Sequence, residues 1–159
     1  MIITGTPVFQ ARRIEAGLLN AGSDFGSDTT PFDAGLGAFV EFGHRDFVGR
    51  AALEVASQEC RTQGMRVMGG VARLGRVIAR QGNTVGKVCS TGHSPYQMCG
   101  MCIVRMYDPK HGPGTKVCVE GTDGTPLDVE LCALPMYDAD RLIPRGRPVD
   151  IPGLPTREF

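Results

Sequence analysis

Short apolar runs separated by turn residues dominate the chain from residue 65 onward, and they constrain its fold more than any other feature. The separators include QGN at 81–83, HGPG at 111–114 and GTDG at 121–124. Runs this short are typical of strands, and Gly, Pro, Asn and Asp favour turns, so the pattern predicts six strands in a small antiparallel barrel or sandwich. The six runs cover residues 65–72, 76–79, 85–89, 101–106, 116–119 and 127–134.

The first 63 residues have a different pattern, with fewer apolar runs and many glycines. Residues 13–37 are predicted to be mostly loop, apart from a helix of about two turns that begins at Thr30. Residues 38–42 form a short strand candidate. Residues 49–60 have apolar side chains at helical spacing, so a longer helix is expected there.

These patterns together predict an α+β protein. We expect a partial α/β lobe over residues 1–63, an antiparallel β-barrel over residues 64–143 and an extended, proline-rich tail over residues 144–159. A chain of 159 residues is long enough for such an arrangement to bury a core.

The balance of charge limits the classes of partner. Lys plus Arg and Asp plus Glu number 17 each, so the net charge is zero. Proteins that bind nucleic acid or anionic membranes usually carry a basic excess, so neither partner is expected. No apolar segment is long enough to span a bilayer or to form a signal peptide. The six cysteines are therefore expected to be reduced, and the compartment is expected to be cytoplasmic.

Three motifs follow one another along the chain. The first is RIEAG at 13–17, followed by GSD at 22–24 and TPFDAGL at 30–36. The second is DFVGRAAL at 46–53, and the third is GKVCSTGHSP at 86–95. In this order and spacing they resemble the glycine cleavage T-protein (aminomethyltransferase) superfamily. The resemblance extends from about Ala11 to the end of the predicted barrel.

The resemblance implies that this chain is the C-terminal portion of a larger enzyme that uses tetrahydrofolate. In that family these motifs lie in the second half of the chain, and the catalytic acidic residue lies in the part that precedes them. The expected partners are a small-molecule one-carbon donor or a lipoyl carrier protein, together with the missing N-terminal lobe or another chain that replaces it. A homodimer is also compatible with the sequence, because an incomplete lobe leaves apolar surface exposed.

The resemblance also implies which residues bind the cofactor. Glu15 matches the family's glutamate that hydrogen-bonds the pterin ring, and a carboxylate suits two neighbouring N–H donors. The alternative is an exposed acid on a loop. Arg13 is expected to position this segment. Arg45 and Arg50 are candidates for the carboxylate tail of folate, since a guanidinium matches a carboxylate, although Arg50 also suits a structural role.

For two further features, a purely structural role competes with a functional one. Cys99 and Cys102 form a C-x-x-C pattern, but no second ligand pair accompanies it, and on a strand the two thiols would point to opposite faces. Core packing is the simpler interpretation. His93 and Ser94 precede Pro95 in a turn signal, where a lone histidine is usually inert, although a contact with substrate is compatible with the motif.

Three hypotheses for function remain from the sequence. The leading one is the C-terminal portion of a tetrahydrofolate-dependent aminomethyltransferase or related one-carbon transferase. The second is a non-catalytic folate-binding or assembly module that needs another chain for catalysis. The third is an RNA-binding barrel, and the zero net charge weighs against it.

Overall fold

A closed barrel of six antiparallel strands forms the larger part of the computed structural model, which describes residues 5–43 and 46–147. Two helices precede the barrel: α1 (Thr6–Glu15) and α2 (Arg50–Val55), with a short 3-10 helix at Gly37–Phe39 between them. A second 3-10 helix, Ile143–Arg145, follows the barrel. The strands are β1 (Thr62–Val67), β2 (Val77–Arg80), β3 (Asn83–Ser94), β4 (Cys99–Met106), β5 (Lys116–Glu120) and β6 (Pro126–Cys132).

The strands close in the order β1-β4-β3-β2-β5-β6, with β6 returning to β1. Each of the six predicted apolar runs overlaps one of these strands, which confirms the sequence-based prediction of a barrel and of the α+β class. Closure leaves no unpaired strand at either edge of the sheet, which removes a common route to aggregation.

Alternation along β4 separates the interior of the barrel from its outer face. Cys102, Val104 and Met106 lie in the inner core, while Met101 and Ile103 belong to a second apolar cluster. This difference follows from the strand period of two residues. The inner core also includes Met65, Val67, Ala72, Ile78, Val88, Val117, Val119, Val129 and Leu131.

Helix α1 packs on the outer face of β3 and β4. Its anchor is Ile14, which is fully buried against Met101, Ile103 and Met136. The remaining length of the helix is largely exposed, and only its last turn is buried. Packing of a single apolar stripe therefore fixes the end of α1 against the barrel wall.

The region before the barrel differs from the prediction in three places. Residues 31–35 form consecutive turns and not a helix, and residues 40–42 carry no strand assignment. Helix α2 is six residues long, so the predicted helix over 49–60 is too long. These segments bury few residues, and short helices and lone strands form stably only with tertiary contacts.

The RIEAG segment also differs from the prediction, because α1 includes its first three residues where a loop was expected. The domain boundaries proposed from the sequence stay a prediction. Most of the predicted extended tail, residues 148–159, lies outside the described residues, as do His44 and Arg45. Among the described helices, none has the length and apolar character needed to cross a membrane.

Gly100 offers a test of how closely the barrel packs. A Cβ atom at this position would overlap the carbonyl oxygen of Gly70 and lie 3.0 Å from Cα of Val71. The clashing atoms belong to the backbone and cannot rotate away as a side chain could. Gly100→Ala should therefore lower the free energy of unfolding by about 1–3 kcal/mol in urea titrations. Gly112→Ala is the matched control, because nothing lies within 4 Å of its Cβ position. Equal effects of the two substitutions would contradict this packing.

Candidate functional site

The last turn of α1 places Glu15 at the candidate site. The helix ends by a Schellman motif, in which the N–H of Leu18 donates to the carbonyl of Arg13 (2.8 Å) and the N–H of Gly17 donates to that of Ile14 (3.1 Å). Gly17 has a φ of +67°, which a residue with a side chain rarely adopts. The glycine of RIEAG therefore stops the helix directly after Glu15.

The carboxylate of Glu15 is fully buried and accepts three hydrogen bonds. Ser94 Oγ donates to Oε1 over 2.6 Å. Tyr137 Oη and Arg12 Nη1 each donate to Oε2 over 2.9 Å. A buried carboxylate is tolerated only with such partners, so these donors are a condition for its position. The alternative of an exposed acid on a loop is wrong.

A second hydrogen bond, from the backbone of the following turn, holds the Ser94 hydroxyl in place. The backbone N–H of Gln97 donates to Ser94 Oγ over 2.9 Å, so the hydroxyl links the turn after β3 to Glu15. Ser94 is fully buried at the end of β3, whereas its neighbour His93 is exposed. The GHSP segment thus contributes its serine to the site, and the histidine points away from the core.

Two tyrosines and an arginine cover Glu15 on the solvent side. The guanidinium of Arg12 lies 4.4 Å from the ring centroid of Tyr96, which is within cation–π distance. The rings of Tyr96 and Tyr137 are 6.5 Å apart and tilted by 31°. Burial, and secondly the hydrogen bond to Glu15, raise the pKa of Tyr137 to about 12. The Tyr137 hydroxyl therefore remains a donor to the carboxylate at neutral pH.

A cleft of about 290 Å³ opens beside this cover. Arg12 and Tyr137 line it on the side of Glu15, and Arg141 lines it as well. The wall is mainly apolar, with a few polar groups, which is typical of small-molecule sites. Its other lining residues are Phe9, Arg13, Ala16, Leu18, Pro135, Asp138 and Ile143.

Arg13 is the centre of a separate buried network. Its Nη1 donates to Asp24 Oδ2 over 2.7 Å, and its Nη2 donates to Ser90 Oγ over 2.8 Å. Ser90 in turn donates to Asp24, which also accepts from the backbone N–H of Asn20. These contacts tie the glycine-rich loop after α1 to β3. All the polar groups of Arg13 are directed at protein atoms. Its role toward a cofactor stays a prediction.

The structure does not bring Arg50 to this site. Arg50 begins α2 and pairs with Glu54 one turn later, at 2.8 Å. Helix α2 contacts none of the other helices or strands in the described part of the chain. Arg45 lies outside the described residues, so the predicted contact of these arginines with a folate tail stays a prediction.

The C-x-x-C pair lies within the barrel wall. Cys102 belongs to the inner core and Cys99 lies on the opposite face of β4, as strand geometry predicts. Burial raises the pKa of the Cys102 thiol to about 12, and that of Cys99 is raised for the same reason. Within the described residues, no three His, Cys, Asp or Glu side chains are grouped so that they could hold a metal ion.

Sequence reasoning did not identify three members of the site: Arg12, Tyr96 and Tyr137. Tyr137 is 122 residues away from Glu15 along the chain, and it follows the barrel in a segment without a motif. Arg12 and Tyr96 adjoin the RIEAG and GHSP motifs, so proximity to those motifs is the signal that would have found them.

Comparisons with known proteins agree with the family resemblance. No protein-family model matches the chain. An aminomethyltransferase of Streptomyces coelicolor is 38% identical over 79% of this chain and 36% of its own length. A dimethylsulfoniopropionate demethylase of Ruegeria pomeroyi is 35% identical over 70% of this chain and 32% of its own length. The chain thus spans about a third of the length of these curated relatives.

A solved structure agrees with these relatives. The glycine cleavage system aminomethyltransferase T from Bartonella henselae superposes with a TM-score of 0.71 at 28% identity. The match covers 81% of this chain and 38% of that protein.

The raised pKa of Tyr137 predicts a change in stability at alkaline pH. The folded-state pKa of about 12 exceeds the ordinary value of 10.0. The contribution of the protonated Tyr137 hydroxyl to folding stability is therefore complete below pH 10 and is lost as pH rises to 12. We expect Tyr137→Phe to lose less stability than the wild type across this range, measured by circular dichroism in urea at each pH. Parallel curves for the two proteins would contradict the burial of the Tyr137 hydroxyl.

Proposed function

The chain belongs to the glycine cleavage T-protein (aminomethyltransferase) superfamily, and from this premise we propose that it forms the C-terminal, folate-facing portion of a tetrahydrofolate-dependent one-carbon transferase. The observation that carries the proposal is the buried carboxylate of Glu15, which the RIEAG segment presents beside an apolar cleft. The cytoplasmic location expected from the sequence is part of the same proposal.

The chemistry of Glu15 suits a pterin ring. A carboxylate can accept about four hydrogen bonds, and the three protein donors leave one acceptor position, on Oε1. Ser94 is buried beneath the carboxylate, whereas the side chain of Arg12 is 45% exposed and can move aside. A ring N–H and an exocyclic amine would then replace Arg12 and share the carboxylate with Ser94.

The aromatic cover suits the same ligand. Tyr96 and Tyr137 are both partly exposed beside Glu15, and tyrosine rings pack favourably against flat heterocycles. In this proposal Glu15, Tyr96 and Tyr137 hold the pterin, and Arg13 fixes the loop and helix that carry Glu15. Arg45 and Arg50 remain the proposed contacts for the carboxylate tail of folate.

Tetrahydrofolate supplies N5 as the atom that accepts the one-carbon unit. The residues of this chain would orient that cofactor and exclude water from one side of it, which favours transfer by proximity. The donor is a small molecule or a lipoyl carrier protein. The acidic catalytic residue would come from a preceding lobe or from another chain, because no residue of this chain is assigned that role.

A second candidate function is a non-catalytic folate-binding or assembly module. Exposed apolar side chains before the barrel favour it, including Phe39 and Val55, since they suit contact with another polypeptide. This module and the transferase portion share the folate site. They differ in whether one-carbon transfer occurs when a lobe that carries the catalytic acid is added.

Calorimetric titration with 5-formyltetrahydrofolate tests the folate site. We expect the wild type to bind and Glu15→Gln to bind at least about 10-fold more weakly, because the amide replaces a charged acceptor with a donor. Glu54→Gln is the matched control, since Glu54 lies exposed on α2 and should leave affinity unchanged. Thermal unfolding of each variant separates loss of binding from loss of fold.

Two outcomes would contradict the proposal. Equal affinity in the wild type and in a folded Glu15→Gln protein would exclude Glu15 as the pterin contact. Absence of binding by the wild type would mean that this chain has no folate site of its own.

A further inference from the structure

Arg66 is an exposed residue of β1 whose guanidinium contacts two segments of the candidate site. Its neighbours Met65 and Val67 lie in the inner core, so strand alternation directs Arg66 outward. Its Nε donates to the side-chain Oε1 of Gln97 over 2.7 Å, and its Nη2 donates to the carbonyl of Met136. These acceptors follow Arg66 by 31 and 70 residues along the chain, and each belongs to a segment that supplies a donor to Glu15.

The contact with Gln97 supports the turn that carries Ser94. The backbone N–H of Gln97 donates to Ser94 Oγ over 2.9 Å, and Ser94 donates to Glu15 Oε1 over 2.6 Å. Among the described residues the buried Nε2 of Gln97 has no partner, so Arg66 alone orients this side chain by a hydrogen bond. The next residue, Met98, has a φ of +52°, and such a strained turn persists only with support from its surroundings.

The contact with Met136 supports the segment that carries Tyr137. The backbone N–H of Met136 donates to the carbonyl of Glu15 over 3.3 Å, while its own carbonyl accepts from Arg66. The next residue, Tyr137, donates to Glu15 Oε2 over 2.9 Å. Residues 136 and 137 are therefore bonded both to Glu15 and, through the Met136 carbonyl, to Arg66.

We propose that Arg66 is a positioning residue for Glu15, which holds Ser94 and Tyr137 at the carboxylate by donating to Gln97 and Met136. The guanidinium is planar and rigid, so the spacing between its Nε and Nη2 donors is fixed. It therefore fixes the two acceptor segments relative to each other. The inference rests on the proposed function, because the exact position of Glu15 matters for binding only if Glu15 contacts the pterin.

A general contribution of Arg66 to stability, or of its charge to folate binding, would be a different role. Because Arg66 is exposed, its replacement leaves the core intact and should change the free energy of unfolding little. Arg80 provides the matched control for charge. It is exposed at the end of β2, lines the same cleft of about 810 Å³ as Arg66, and has no side-chain hydrogen bond or ion pair with another described residue.

Calorimetric titration with 5-formyltetrahydrofolate compares the two arginines. We expect Arg66→Met to bind roughly 10-fold more weakly than the wild type, because two charge-assisted hydrogen bonds that support the site are lost. Arg80→Met should bind as the wild type does. Arg66→Lys should be intermediate, since one ammonium group restores the charge but cannot match both acceptors with the geometry of the guanidinium.

The titration of Tyr137 supplies a measurement that needs no folate. The chain has three tyrosines and no tryptophan, so tyrosinate formation can be followed by ultraviolet absorbance, and Tyr137→Phe identifies the Tyr137 step. Burial, and secondly the hydrogen bond to Glu15, raise the pKa of Tyr137 to about 12. In Arg66→Met the released segment should let this pKa fall toward 10.0, whereas Arg80→Met should not change it. Circular dichroism at each pH confirms that the variants remain folded.

Wild-type affinity and an unchanged Tyr137 step in a folded Arg66→Met protein would overturn the proposal. Equal weakening by Arg66→Met and Arg80→Met, with the Tyr137 step unchanged, would also overturn it, because charge alone would then explain the loss.

A wild type that does not bind folate would contradict the proposed function, and the Tyr137 step would then decide the role of Arg66 by itself. If Arg66→Met does not fold, Gln97→Met removes one of the two contacts from the acceptor side. Weaker binding by Gln97→Met would support the proposal, and unchanged binding would overturn it.

Discussion

Burial of the Glu15 carboxylate is the interaction on which the arrangement of the site depends. A carboxylate removed from water costs several kcal/mol unless donors replace the lost hydration. Its three donors come from separate parts of the chain: Arg12 from α1, Ser94 from the end of β3 and Tyr137 from the segment after the barrel. The site therefore exists only when the helix, the strand and the segment after β6 are all in place.

The barrel supplies the rigid support for this arrangement. Strand β4 contributes one face to the inner core and the other to the surface on which Ile14 packs. Adding or removing one methylene group in either apolar cluster would shift the position of α1, because close-packed interiors relax little. The position of Glu15 is thus set by apolar packing one residue earlier, and its charge is then stabilised by the polar groups around it.

The five residues of the RIEAG segment combine four structural roles. Arg13 anchors the following loop to Asp24 and Ser90, and Ile14 docks the helix on the barrel. Glu15 enters the site, and Gly17 ends the helix with a backbone conformation that suits glycine. In the proposed function these roles are coupled, because the same turn that terminates α1 aims the carboxylate.

The sequence by itself determined the barrel, because short apolar runs with glycine-rich separators are local signals that each strand carries within its own residues. It also named Glu15 through the contiguous RIEAG motif, whereas Ser94 was interpreted only as part of the turn before Pro95. It did not determine the end of α1, which was predicted as loop, or the state of residues 38–42, which were predicted as a strand and whose first two residues belong to a 3-10 helix. Only the tertiary structure brought Tyr137 to Glu15 across 122 residues. A long-range contact of this kind depends on how the barrel closes, and no local pattern records that closure.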